Sequence, residues 1–161
     1  MIQPILDLVG AWPGAVWLQG SGTAYLVVNA AHILGLALLI GAIFPLDVLL
    51  IRSGGRHGDG DLPALARALP RMAAYGLALA LGTGLWLFSV RPHDYVDNPA
   101  FLFKMGLLLL AFANVVWQHN SIGWKRFASC GPVARSVKVR AAASIALWAS
   151  VLLAGRWIGF L

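Results

Sequence analysis

Apolar residues dominate this chain in four long stretches, separated by short polar or glycine-rich segments. The first, Ala24 to Arg52 (AYLVVNAAHILGLALLIGAIFPLDVLLIR), is nearly unbroken. At about 28 residues it would extend roughly 42 Å as a helix, against a bilayer core of about 30 Å. A span of this length must tilt, kink or project, and Pro45 is the expected kink because it removes a backbone donor and crowds the preceding turn. The pattern predicts spans over about 24–51, 72–90, 100–119 and 141–160. In the second, Gly76, Ala80 and Gly84 recur every fourth residue, a small-residue stripe that lets another helix approach closely. Asn98 and Pro99 read as cap and first turn of the third.

Residues 2–20 hold Trp12 and Trp17 but are interrupted by Pro4 and Pro13, so they are too short and broken to cross. They suit a segment lying in the headgroup layer. The predicted fold class is all-α: an integral membrane four-helix bundle with an N-terminal interfacial segment, forming one domain over residues 1–161.

Composition agrees with that reading. The chain of 161 residues is 60% hydrophobic and 11% charged, with mean hydropathy +0.78, whereas soluble domains carry about 25% charged residues. The net charge of +6 does not point to nucleic acid, because the cations are divided among the connections. Arg52, Arg56, Arg67 and Arg71 follow the first span; Lys125, Arg126, Arg135, Lys138 and Arg140 follow the third; only Arg91 lies between the second and third. The positive-inside rule puts both basic loops in the cytoplasm and both termini on the periplasmic or exterior side. The first twenty residues lack Lys and Arg, so no secretory leader is expected. A single cysteine, Cys130, allows no disulfide within one chain.

Topology sorts the polar residues by depth into two groups. Tyr25, Asn29, His32, Lys104 and Arg156 fall on the outer side, and Asp47, Asn114 and His119, with Gln118, on the inner. Tyr25, Asn29 and His32 are spaced four and three apart on one helix face, which Gly35 continues one turn deeper, leaving room for a helix or a flat cofactor. Three readings of His32 stay open: hydrogen bonding across helices, ligation of haem or another metal, and contact with a quinone or a proton relay. His32 and His119 cannot share one iron. His32 lies about 19 residues, roughly 28 Å, from the inner end of its helix, while His119 sits near the inner end of its own. A haem at His32 would take its sixth ligand from a second copy of the chain, Met105, His93 or water. Lys104 and Arg156 could then pair with propionates or another anion, or simply extend to the headgroups.

Soft-metal transport asks for thiolate or thioether ligands, yet Met1, Met72, Met105 and Cys130 form no helical pair. The segment HGDGDL, with His57, Asp59 and Asp61, reads as a solvated turn. No phosphate-binding loop, nucleophile elbow or HExxH signature is present and there is no Glu, so a self-contained hydrolase is not expected.

The stretches NAAHILGLALLIGAIFPLDVLL, NPAFLFKMGLLLLAFANVVWQH and AGRWIGFL resemble a bacterial four-helix membrane family, domain-of-unknown-function family 6644. The likeness covers about Tyr25 to Leu161. It aligns Ala31 and His32 with the family's AH, Asn98 to Phe101 with its NPAF, Gly155 to Trp157 with its GRW, and His119 with the histidine closing its third span. More distantly the chain is similar to the copper-resistance D type of membrane protein and to small b-type cytochromes. The resemblance implies a multi-pass protein of the bacterial cytoplasmic membrane and directs attention to His32, Lys104, His119 and Arg156.

Three functional expectations follow. The first is a small redox-associated subunit binding b-type haem or quinone near His32. The second is a copper- or solute-handling transporter. The third is a structural partner in a homodimer or larger membrane complex.

Overall fold

The computed structural model describes residues 3–53, 62–129 and 131–158, all of them in helices or short connections. His57, Asp59 and Asp61 of the HGDGDL segment, along with Arg56, Cys130 and the last residues of the fourth predicted span, lie outside the described residues.

Two short helices, α1 (Gln3–Ala11) and α2 (Pro13–Gly20), precede the long α3 (Gly22–Arg52). Then come α4 (Leu62–Phe88), the single-turn α5 (Pro92–Val96), α6 (Pro99–Asn120), the short α7 (Ile122–Ala128) and α8 (Arg135–Trp157). Among the described residues, α3, the part of α4 from Ala64, α6 and α8 are each long and apolar enough to cross a membrane.

Local chemistry sets most boundaries. Ser21 caps α3 by accepting from the Ala24 amide at 3.2 Å. Asn98 caps α6 by accepting from the Ala100 and Phe101 amides at 2.9 and 3.4 Å, with Pro99 in the first turn. Two helices start earlier than hydropathy predicts. The arginine-bearing residues 62–71, expected as loop, are the first turns of α4, and α8 begins at Arg135 rather than Ala141. Ala64, Leu65, Ala66, Arg67 and Ala68 are strong helix formers, and helix propensity is indifferent to whether a residue is apolar enough for lipid. Both α3 and α4 run on through their internal prolines, Pro45 and Pro70.

The four long helices form a bundle with one open side. α3 packs along α4 on one flank and α8 on the other, and α8 packs along α6, while α4 and α6 have no extended contact. The buried residues of α8, Val137, Ala141, Ser144, Trp148, Val151 and Ala154, recur every three or four positions and make one face. At the arginine-rich end, α7 closes the bundle by burying Trp124 and Phe127 against Leu46, Leu50, Leu62 and Val137.

The N-terminal segment folds over the opposite end. Trp12 Nε1 donates to Ser89 Oγ at 2.9 Å, Trp86 Nε1 donates to the Gly14 carbonyl at 3.0 Å, and Gln19 Nε2 donates to the Val90 carbonyl at 3.0 Å. Leu18 is buried there with Ala24, Val28 and Leu87.

Candidate functional site

The helix pairing fixes the surroundings of His32. Gly35 and Gly76 bring α3 and α4 into backbone contact, so the space beside Gly35 is taken by the neighbouring helix. His32 lies one turn away in the same seam, with Nδ1 2.9 Å from the Ala80 carbonyl and 3.1 Å from Thr83 Oγ1. A carbonyl only accepts, so Nδ1 carries the proton and donates to Ala80, and Nε2 is left as the acceptor nitrogen. Thr83 in turn donates to the Leu79 carbonyl at 2.6 Å. Gly84 accommodates the ring, for a Cβ there would stand 3.0 Å from His32 Cε1.

Lys104 of α6 reaches the same level. Its Nζ lies 3.4 Å from where a Cβ on Gly155 of α8 would be, and its charge acts on the His32 imidazole. Arg156, in the last turn of α8, follows directly and is exposed. Asn29 is half-buried one turn before His32. Tyr25 instead pairs with Tyr95 of α5, whose phenol is pushed up from its usual range by burial and by the Tyr25 hydroxyl beside it, while Arg91 opposes the shift. Of the outer group, His32 and Lys104 are thus brought together, Gly35 serves helix packing, and Tyr25 belongs to a contact with the α5 connection.

The inner group meets around a cavity. Asp47, Asn114 and His119 all line an opening of about 310 Å³ between α3, α4, α6 and α8, near the arginine-rich end. Sequence reasoning missed three of its neighbours: Arg140, Ser144 and Trp148. The spacing of Ser144 and Trp148, one turn apart on α8, is the signal that could have found two of them.

A polar lattice holds one wall of the cavity. Asn114 Nδ2 donates to the Arg140 carbonyl at 3.1 Å, and Gln118 Nε2 donates to the Val137 carbonyl at 3.2 Å. Arg140 answers by donating from Nε to Gln118 Oε1 at 2.7 Å and from Nη2 to Ser121 Oγ at 2.9 Å, with its guanidinium 5.4 Å from the Trp117 ring centre. At the other end of the chain of contacts, Lys138 Nζ donates to the Ser53 carbonyl and ties α8 to the end of α3. His119 is exposed at the mouth, its Nδ1 donating to the Val115 carbonyl at 2.9 Å and its ring against Trp124.

Two buried polar atoms of lining residues stand outside this lattice. Ser144 lies beside the Asp47 carboxylate, yet Asp47 Oδ2 is buried with no hydrogen-bond partner among the described residues, and so is Trp148 Nε1. Asp47 is 7% exposed and Trp148 2%. An unmade hydrogen bond in such surroundings costs about 1–3 kcal/mol per group, which makes this pair the least self-sufficient part of the structure.

Among the described residues no three His, Cys, Asp or Glu side chains gather as a metal ion would require. His32 and His119 keep to different partners, the first against α4 and the second against α7. Comparison with known proteins found no matching family model, no matching curated protein and no matching solved structure.

Proposed function

We propose that this chain is a multi-pass membrane protein that binds a small lipophilic molecule in the cavity beside Asp47 and Trp148. The observation that carries the proposal is the presence of a buried acceptor and a buried donor, both unpartnered among the described residues, in the wall of one largely apolar chamber. α4 and α6 both line the chamber without packing along one another, and Ala74 and Phe112 of its lining are exposed on the bundle surface. A ligand would enter sideways from the hydrocarbon. The lining residues carry no sulfur, which favours an organic ligand over a soft metal. Binding rather than catalysis fits a chamber whose other polar groups are already tied into helix packing.

The bacterial cytoplasmic membrane, with both termini outside, and kinship with domain-of-unknown-function family 6644 belong to the same proposal. They rest on the division of Lys and Arg among the connections and on the motifs around His32, Asn98 and Arg156. The test uses butylbenzene as an apolar probe with protein in lipid nanodiscs. Saturation-transfer NMR should detect binding that is lost when Ala42, which is buried in the cavity wall, is replaced (Ala42→Phe). Equal transfer to both proteins would reject the cavity as the site.

A second reading is favoured by one feature of His32. Its Nδ1 is held on a backbone carbonyl, the arrangement that orients metal-ligating imidazoles, and Nε2 is left for a b-type haem iron. Lys104 would hold a propionate and a second copy of the chain would supply the sixth ligand. Purified protein would then show a Soret band that disappears in His32→Ala; a colourless preparation from haem-supplemented cells would exclude it.

A further inference from the structure

The arginine-rich end of the bundle carries more charge than its packing uses. Along the sequence, nine of the chain's twelve cations belong to this end, from Arg52 to Arg71 and from Lys125 to Arg140, against three aspartates, Asp47, Asp59 and Asp61, an excess of six. Asp47 is buried, and the ion pairs among the described residues, Arg91 with Asp94 and His93 with Asp7, both lie at the opposite end. Arg67, Arg71 and Tyr75 recur every fourth residue along one exposed stripe of α4, and exposed Trp117 stands in the last turn of α6 beside the Arg140 guanidinium. On two flanks an exposed aromatic ring thus accompanies a cation at the end of a long apolar helix, the pairing found where hydrocarbon gives way to phosphate.

We propose that this end binds the headgroup phosphate of an anionic phospholipid, with Arg140 as the fixed cation of the site. The inference rests on the chain spanning a membrane and is independent of what the cavity holds. Among the described residues Arg140 is held by neutral groups: Gln118 Oε1 at 2.7 Å, Ser121 Oγ at 2.9 Å, Ser136 Oγ at 3.5 Å and the Trp117 ring. These contacts fix the guanidinium without cancelling its charge, so little side-chain entropy is lost when an anion arrives. Ser121 Oγ is already committed, donating to the Gln118 carbonyl at 2.7 Å and accepting from the Trp124 amide at 3.2 Å, so it steers the arginine. Ser136 is exposed, and its hydroxyl hydrogen can turn to a phosphate oxygen. Exposed Leu109, Leu110, Val116 and Trp117 continue from the middle of α6 to this cation, an apolar path for acyl chains. A soluble polyanion would meet the charge and have nothing to lay on that path, which commits the site to a lipid.

The experiment titrates the full chain in detergent micelles with phosphatidylglycerol or phosphatidylcholine of the same acyl chains and reads the first binding constant of each by native mass spectrometry. Phosphatidylglycerol should bind about fivefold more tightly, the ratio that one cation near a membrane surface supplies. Ser136→Asp puts a carboxylate beside the Arg140 guanidinium and should reduce the preference to below about twofold. An acid in the first turn of α8 favours the helix, so this variant keeps its fold. Ser136→Asn, which adds no charge, and Arg91→Gln at the opposite end should retain the preference. Equal first constants for the two lipids, a preference unmoved by Ser136→Asp, or displacement of phosphatidylglycerol by equimolar inorganic phosphate would each overturn the lipid site and leave the membrane-spanning reading standing. A chain that stays soluble without detergent would overturn that reading, and the lipid site with it.

Discussion

Gly35 and Gly76 face one another across the α3–α4 seam at backbone contact: a Cβ on Gly35 would lie 2.9 Å from the Gly76 carbonyl oxygen, and one on Gly76 would lie 2.8 Å from that of Gly35. Neither obstacle is a side chain able to turn aside. Gly76→Ala should therefore force the helices apart and destabilise the protein by about 1–3 kcal/mol. Gly82→Ala in the same helix meets nothing within 4 Å and should be neutral or stabilising by a few tenths of a kcal/mol, up to about 1 kcal/mol. Denaturant unfolding in detergent micelles would compare them, and equal effects would refute the close approach.

The His32 bond to Ala80 dictates a tautomer. Nitrogen-15 NMR of histidine-labelled protein should show a protonated Nδ1 and an unprotonated Nε2 for His32. Thr83→Val should leave that assignment unchanged, because the Ala80 carbonyl continues to hold the proton. A protonated Nε2 in the neutral ring would contradict the geometry, and would remove the feature on which the haem reading depends.

Arg140 and Gln118 should be energetically coupled. Their 2.7 Å bond is charge-assisted and half-buried, and the same Gln118 clamps the Val137 carbonyl. A double-mutant cycle with Gln118→Ala and Arg140→Ala should give a coupling of about 1–3 kcal/mol. Coupling near zero would mean that the two side chains do not meet in the folded protein.

Loss of the Ser89 hydroxyl should loosen the N-terminal segment selectively. Ser89 Oγ accepts from Trp12 and donates to the Trp86 carbonyl at 2.6 Å, so Ser89→Ala leaves the Trp12 indole without that partner. The expected local cost is about 1 kcal/mol, seen as faster amide exchange over residues 3–20 with α3 and α8 unchanged. Uniform acceleration throughout the chain would show instead that the segment is integral to the bundle's cooperativity.

Tyr95 should make stability fall in alkali. Burial raises its folded-state pKa above the usual 10.0, so the folded protein holds this proton more tightly than the unfolded chain does. Stability is then level below about pH 10 and declines as pH rises from there toward the folded value. Unfolding measured across that range should show a smaller decline for Tyr95→Phe, and the latest-titrating tyrosinate absorbance of the wild-type protein should be missing from the variant.

Much of the architecture could be read directly from the residues. Four long apolar runs demanded four long helices, and Asn98, Pro99 and the Gly76–Ala80–Gly84 stripe announced a cap, a first turn and a packing face before any contact was known. Each of these signals is local, resting on hydrogen bonds or spacings within a few residues of chain. Helix starts were harder where arginines interrupt the hydropathy, as at residues 62–71 and 135–140, since a helix carries on past the point at which its surface stops being apolar.

What the sequence alone determined, then, is the helical class, the apolar length of each long helix, and the division of polar residues into a His32 group and an Asp47 group. Only the tertiary structure decided which of those residues meet. Spacing reports the face of one helix, whereas the cavity exists because α4, packed on α3, and α6, packed on α8, contribute to one lining without packing along each other. Likewise Trp148 and Ser144 look like ordinary helix residues until α8 is rotated against Asp47, and Gly35 could have served a cofactor or a helix until α4 came to fill the place. A buried polar atom becomes conspicuous only when every neighbour that could have satisfied it is known, and those neighbours come from three other helices.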